Sequence, residues 1–133
     1  MVWWINLIPN IIKKFVSDHS DIKADFITAD GGFNWKDENY QEQEAYILLL
    51  CEIYCALKTQ KKGGCLIVRM SDCFYKSTVD LIYILSSMYE KTYVTKPTIS
   101  PQYESERFLV CSNFVSTLIV VISSHDNNNI DFT

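Results

Sequence analysis

Glycine is scarce in this chain of 133 residues: there are four, in two adjacent pairs, Gly31-Gly32 and Gly63-Gly64. Neither pair builds the Gly-rich strand-to-helix turn that receives a nucleotide at a helix N-terminus. An excess of positive charge is also missing. At a net charge of −4 the chain as a whole does not attract a polyanion, so any nucleic acid would need a local patch or a surface supplied elsewhere. The five cysteines include no Cys-x-x-Cys pair. Cys51 and Cys55 fall four apart in an apolar run, where a helix would put them on one face, but no second Cys or His pair follows to close a zinc site. The cysteines are therefore read as reduced core thiols of a cytosol-like compartment, and no metal is expected. No apolar run approaches the roughly 20 residues that a bilayer requires. The apolar start, Met1 through Pro9, is too short and lacks a basic leader and a small-residue cleavage site. Residues 118–122 form a shorter run still. The expectation is a soluble chain, cytoplasmic or nuclear, with no membrane contact.

What is present suits a folded domain. Hydrophobic residues make up 48% and charged residues 21%, a balance that can bury a core. Residues 1–122 are expected to form one domain. Residues 123–133, polar and asparagine-rich, are expected to form a disordered tail.

Along the chain, Asn10 precedes Ile11, Ile12, Phe15 and Val16 at helical spacing, which predicts a short amphipathic helix over 11–16. Asp25-Phe-Ile-Thr-Ala-Asp30 reads as a strand stopped by Gly31-Gly32. Residues 33–43 read as a loop that becomes a helix start. Over 45–57 only Glu52 is charged, so that helix should be buried on more than one side. Lys58, Lys61 and Lys62 then suit a helix C-terminus, with Gly63-Gly64 as its stop. Cys65 to Met70 is continuously apolar except for Arg69, as in strands covered on both faces. Ser77-Thr-Val-Asp80 has the spacing of a capping box before Leu81, Ile82, Leu85 and Met88. Residues 92–95 and 107–111 are further strands. Strands alternating with helices imply βαβ units on a parallel sheet. The last two strands lie too close in sequence for a crossover and should pair antiparallel.

Three polar residues stand at or just beyond strand ends: Asp30, Arg69 and Glu106. Ligands in open α/β sheets bind outside the carboxyl ends of strands. An antiparallel final strand begins on that same edge, so the topology should bring all three to one rim. Each has an ordinary explanation alone: a turn residue, a structural ion pair, a solvated loop charge. Their convergence favours a site.

On these residues the chain resembles the FtsJ-like methyltransferases. Asp25-Phe-Ile-Thr-Ala-Asp30-Gly-Gly-Phe-Asn-Trp is similar to that family's fourth-strand motif. Gln41-Glu42, then Lys62-Gly-Gly-Cys-Leu-Ile-Val-Arg69-Met-Ser-Asp-Cys-Phe, then Tyr93-Val-Thr-Lys-Pro97, Ser100 and Ser105-Glu106-Arg-Phe-Leu-Val-Cys111 follow in order. The similarity is nearest to the cap-type enzymes of eukaryotes and large DNA viruses. It implies an α/β chain with part of a Rossmann-like class I methyltransferase fold, mainly parallel with an antiparallel last strand. It implies S-adenosyl-L-methionine as cofactor, RNA (capped mRNA) as partner and ribose 2'-O-methylation as the reaction.

The family works with a Lys-Asp-Lys-Glu set. Asp30 matches the aspartate and Glu106 the glutamate, while Arg69 stands where the second lysine belongs and nothing here matches the first. The resemblance further implies cofactor contact by Asp30 and Gly31, and RNA contact by Lys96, Ser100 and Arg107. By the same comparison the first three strands and the Gly-rich loop are absent, so this is expected to be the C-terminal half of a catalytic domain. A missing N-terminal half or a partner subunit would complete it. Two other readings stand beside this one: an inactive methyltransferase-like module that binds RNA or a partner protein, and an unrelated α/β interaction domain.

Overall fold

The computed structural model describes residues 3–32 and 40–115. Its elements are α1 (Trp3–Asp18), β1 (Ala24–Ala29), α2 (Gln41–Thr59), β2 (Gln60–Met70), α3 (Lys76–Met88), β3 (Tyr89–Thr95) and β4 (Arg107–Phe114). The strands form one sheet in the order β1-β2-β4-β3. β1 and β2 run parallel across the α2 crossover, while β4 is antiparallel to both of its neighbours. The expected antiparallel pairing of the last two strands is therefore present, and the sheet is the mixed α/β arrangement that the element order implied.

The core forms where α2 and α3 meet the sheet. Leu49, Ile53 and Ala56 of α2 and Leu81, Leu85 and Met88 of α3 bury against Leu66, Val68, Leu109 and Cys111. Alternation along β2 explains this: Leu66, Val68 and Met70 point into the core, while Cys65 and Ile67 point the other way and are half-buried. Within the core, the Tyr89 hydroxyl donates to Gln60 Oε1, and its ring packs 5.1 Å from that of Phe114.

Several expectations need correction. Cover on both faces was read from the apolar run 65–70, yet Phe26, which pairs with Cys65, is exposed, and so is Tyr93 on β3. α2, expected to be buried on more than one side, packs against both the sheet and α1, yet Ile47, Leu50 and Tyr54 remain exposed. α1 lies against α2 and runs from Trp3, well before the predicted start, with Pro9 inside it.

Lys61, Lys62, Gly63 and Gly64 do not end a helix. α2 stops at Thr59, where Gln60 turns extended, and these residues already belong to β2. The cause is a bulge: Ala24 pairs with Gln60 and Phe26 with Cys65, so extra residues of β2 loop out between those pairs. Gly63 adopts a φ of 83° there, and a Cβ on Gly64 would lie 2.8 Å from the Asp25 carbonyl oxygen.

The capping box at 77–80 does not form either. α3 begins at Lys76 after Tyr75, with no side-chain cap, and Asp80 pairs with Lys76 at 2.6 Å. The cysteines are free, as expected, but only Cys111 is buried, where loss of solvent pushes its thiol up to about 11. No helix among the described residues is long and apolar enough to cross a membrane. The loop reading of 33–39 and the tail at 123–133 lie outside the described residues.

Candidate functional site

The carboxyl ends of β1 and β2 and the start of β4 meet at one rim. Asp30 follows the last residue of β1, Arg69 is the penultimate residue of β2 and pairs across the sheet with Phe108, and Glu106 immediately precedes β4. Arg69 bridges the other two. Its Nη1 donates to Asp30 Oδ1 at 3.0 Å and its Nε to Glu106 Oε1 at 2.7 Å. The other oxygen of Glu106 accepts from Ser100 Oγ at 3.1 Å, which fixes the carboxylate from behind. The structure thus brings together the three residues singled out from strand ends.

The electrostatic consequence falls on Arg69. The Asp30 hydrogen bond, with the charges of Asp30 and Glu106, holds the guanidinium more firmly protonated, against a smaller opposing pull from partial burial. The group can donate hydrogen bonds and stabilise negative charge, but it cannot serve as a proton acceptor. Asp30 and Arg69 are about half exposed, so the ion pairs add little to stability and are better understood as a way of aiming side chains.

Beside this bridge opens a cavity of about 950 Å³, within the range of small-molecule and cofactor sites. Arg69 and Glu106 line it, with Gly31, Leu48 and Leu49. Its ionisable lining is otherwise acidic: Glu42, Glu52, Asp72 and Glu104. Such a lining suits a cationic group better than a phosphate.

The other expected contacts are turned inward. Lys96 Nζ donates to the carbonyls of Gln102 and Glu104, so it ties its own loop together. Ser100 holds Glu106, and Arg107 lies 4.0 Å from Asp72. The Gly31 N–H donates to Glu52 Oε1 at 2.6 Å.

Residues 8–114 match the FtsJ-like methyltransferase family. The chain belongs to that family. The cap-specific mRNA (nucleoside-2'-O-)-methyltransferase 1 of Bos taurus is 39% identical over 104 residues, which is 77% of this chain but 12% of the relative. The protein of the same name from Trypanosoma cruzi is 38% identical over 93 residues, 68% of this chain and 26% of the relative. This chain therefore spans about an eighth to a quarter of those relatives' lengths. Among solved structures, a Plasmodium falciparum protein assigned as a ribosomal RNA methyltransferase superposes with a TM-score of 0.54 at 23% identity, over 83% of this chain and 57% of that one. The alphavirus P23pro-zbd superposes at 0.60 with 15% identity, over 71% of this chain and 14% of that one. These two show the fold alone.

Two residues that line the cavity, Glu52 and Glu42, were missed as site residues. Glu52 is half-buried, and desolvation raises its pKa; the Gly31 N–H opposes that rise and the nearby Asp30 charge adds to it. Its signal was already in the sequence, as the single charge in the apolar run 45–57. Glu42 accepts the backbone N–H groups of Phe74 and Tyr75. Its signal was weaker: one of several acids at the start of a helix.

Proposed function

We propose that this chain forms the catalytic-rim portion of an RNA ribose 2'-O-methyltransferase acting on capped mRNA. The observation that carries the proposal is the Asp30–Arg69–Glu106 bridge, placed at the carboxyl ends of the strands in a chain of the FtsJ-like family. The identity to cap-specific relatives supports the choice of RNA.

Methyl transfer to a ribose hydroxyl needs the oxygen aimed at the methyl donor and its proton weakened or removed. Arg69 would orient that oxygen and stabilise developing negative charge, because it stays protonated. Asp30 and Glu106 hold the guanidinium from two directions and so fix where it points. S-adenosyl-L-methionine would supply the methyl on a sulfonium. The acidic lining fits the cationic, methionyl end of that molecule; Gly31 lines the cavity, and Asp30 precedes it in the chain. For the nucleoside end, the four glycines of the chain offer no Gly-rich turn.

The same proposal assigns a partner to the open surfaces. Among the described residues β1 has one paired edge, and Phe26, Ile47, Leu50 and Tyr54 are exposed on it and on α2. The remaining strands of a methyltransferase sheet, from further chain or from a partner subunit, would cover them and complete the cofactor site. Lys96, Ser100 and Arg107 would then border the RNA path while holding their own loop.

The test is methyl transfer to a capped RNA. Asp30→Ala and Glu106→Ala should each lower it by roughly 100-fold or more, the scale of a positioned catalytic group. Full activity in both would refute the proposal.

A second reading has one specific observation in its favour. Arg69, locked in its protonated form, replaces a residue that could give up a proton. This favours a methyltransferase-like module that binds RNA without modifying it. Arg69→Lys separates the two: a large gain in transfer supports catalysis, and no transfer by either form supports the binding module.

A further inference from the structure

We infer that Glu42 is a positioning residue, which holds residues 71–75 in place as one wall of the cavity where the acceptor ribose of the RNA must meet the methyl donor. This inference rests on the proposed function for its ligand, while the contact itself is independent of it. The segment 71–75 leaves β2 two residues after Arg69 and leads into α3. Ser71, Asp72, Phe74 and Tyr75 all line the cavity, and Phe74 is 84% exposed.

The segment has little to hold it by itself. Asp72 reaches Arg107 only at 4.0 Å, and the Cys73 thiol contacts the Ser71 carbonyl at 3.9 Å. The first N–H groups of a helix, and those just before it, need acceptors, which a local Ser, Thr, Asp or Asn usually supplies. Tyr75 precedes α3 and supplies none.

Glu42, on another helix, accepts the N–H groups of the two residues just ahead of α3 instead. Its Oε2 accepts the Phe74 N–H at 3.0 Å and its Oε1 accepts the Tyr75 N–H at 2.9 Å, across more than thirty residues of sequence. Two backbone donors on one carboxylate fix orientation as well as distance. Further along α2, Glu52 accepts the Gly31 N–H, so one rigid helix grips the segments following both β1 and β2. The spacing of those two segments is then set by the helix. Preorganising the wall lowers the ordering cost when a flexible strand of RNA arrives.

The experiment combines amide hydrogen exchange with RNA kinetics on the protein and two variants. Glu42→Ala removes both acceptors; Glu42→Gln keeps the shape and one oxygen, and serves if the alanine variant fails to fold. The inference expects exchange at Phe74 and Tyr75 to rise about ten-fold or more in Glu42→Ala, with Leu66 and Leu109 unchanged. It expects the KM for a capped oligoribonucleotide to rise about five-fold with little change in kcat, and Glu42→Gln to fall between. Unchanged exchange at 74 and 75 overturns it. Faster exchange with unchanged RNA parameters also overturns it, because the contact would then be merely structural. If the unsubstituted protein, purified with any partner that accompanies it, neither binds nor methylates the RNA, the proposed function and the positioning role fail together, and the exchange data still decide whether Glu42 holds the segment.

Discussion

Arg69 and Glu52 are charged residues placed where the surrounding chain is apolar, and each can be tested alone. Arg69 is aimed by Asp30 and Glu106, so Arg69→Ala should uncouple both carboxylates while leaving the sheet intact, since the pairs are solvent-exposed. Glu52 gives a pH prediction with a definite sign. Its folded pKa is raised, chiefly by desolvation, so folding favours the protonated form. The associated stability is present below the ordinary glutamate value, about 4.3, and is lost as pH rises through the folded value. Glu52→Gln keeps an acceptor for the Gly31 N–H but does not titrate. It should therefore gain stability relative to the unsubstituted protein as pH is raised from 4 to 7 (pH values of the assay, about the glutamate range), measured by urea midpoints. A constant difference across that range would contradict the desolvation argument. A Cβ on Gly31 would collide with Glu52 Oε1, so Gly31→Ala should break the same contact from the other side.

Among the elements, β1, α3 and β4 were legible because their apolar spacing matches one secondary structure and one buried face. The residues Lys61–Gly64 were not. Lysines followed by glycines fit a helix end locally, and only the pairing of Ala24 with Gln60 makes them a bulged strand. That is tertiary information, absent from a local window. The bulge predicts that Gly64→Ala, with backbone oxygens within 3 Å of the new methyl, destabilises by about 1–3 kcal/mol through overpacking. Gly32→Ala, which meets nothing within 4 Å, is the control and should be nearly neutral. Denaturant midpoints of the two variants check this. The rim was legible for a different reason: Asp30, Arg69 and Glu106 are polar at strand ends, and antiparallel topology leaves them only one edge on which to meet. The inward turns of Lys96 and Arg107 were not legible, because a loop's basic residues look alike in sequence whether they face RNA or their own carbonyls.

For the whole molecule, the uneven cover of the sheet is the dominant fact. One face carries α2, α3 and the core, and the other leaves Phe26 and Tyr93 exposed. Unpaired strand edges and apolar patches of this kind are usually covered in a working assembly. If the rest of a methyltransferase sheet provides that cover, this chain by itself should bind S-adenosyl-L-methionine more weakly than roughly micromolar. Calorimetric titration of the chain alone checks that expectation, and micromolar binding would overturn it. The central claim is that the Asp30–Arg69–Glu106 rim serves ribose methylation. Its most direct test is mass-spectrometric detection of 2'-O-methyl ribose in capped RNA treated with S-adenosyl-L-methionine and the protein, purified with any partner that accompanies it. The predicted result is 2'-O-methyl ribose in the capped RNA, lost in Asp30→Ala. Equal methylation by Asp30→Ala, or none by either the unsubstituted protein or Arg69→Lys, would contradict it.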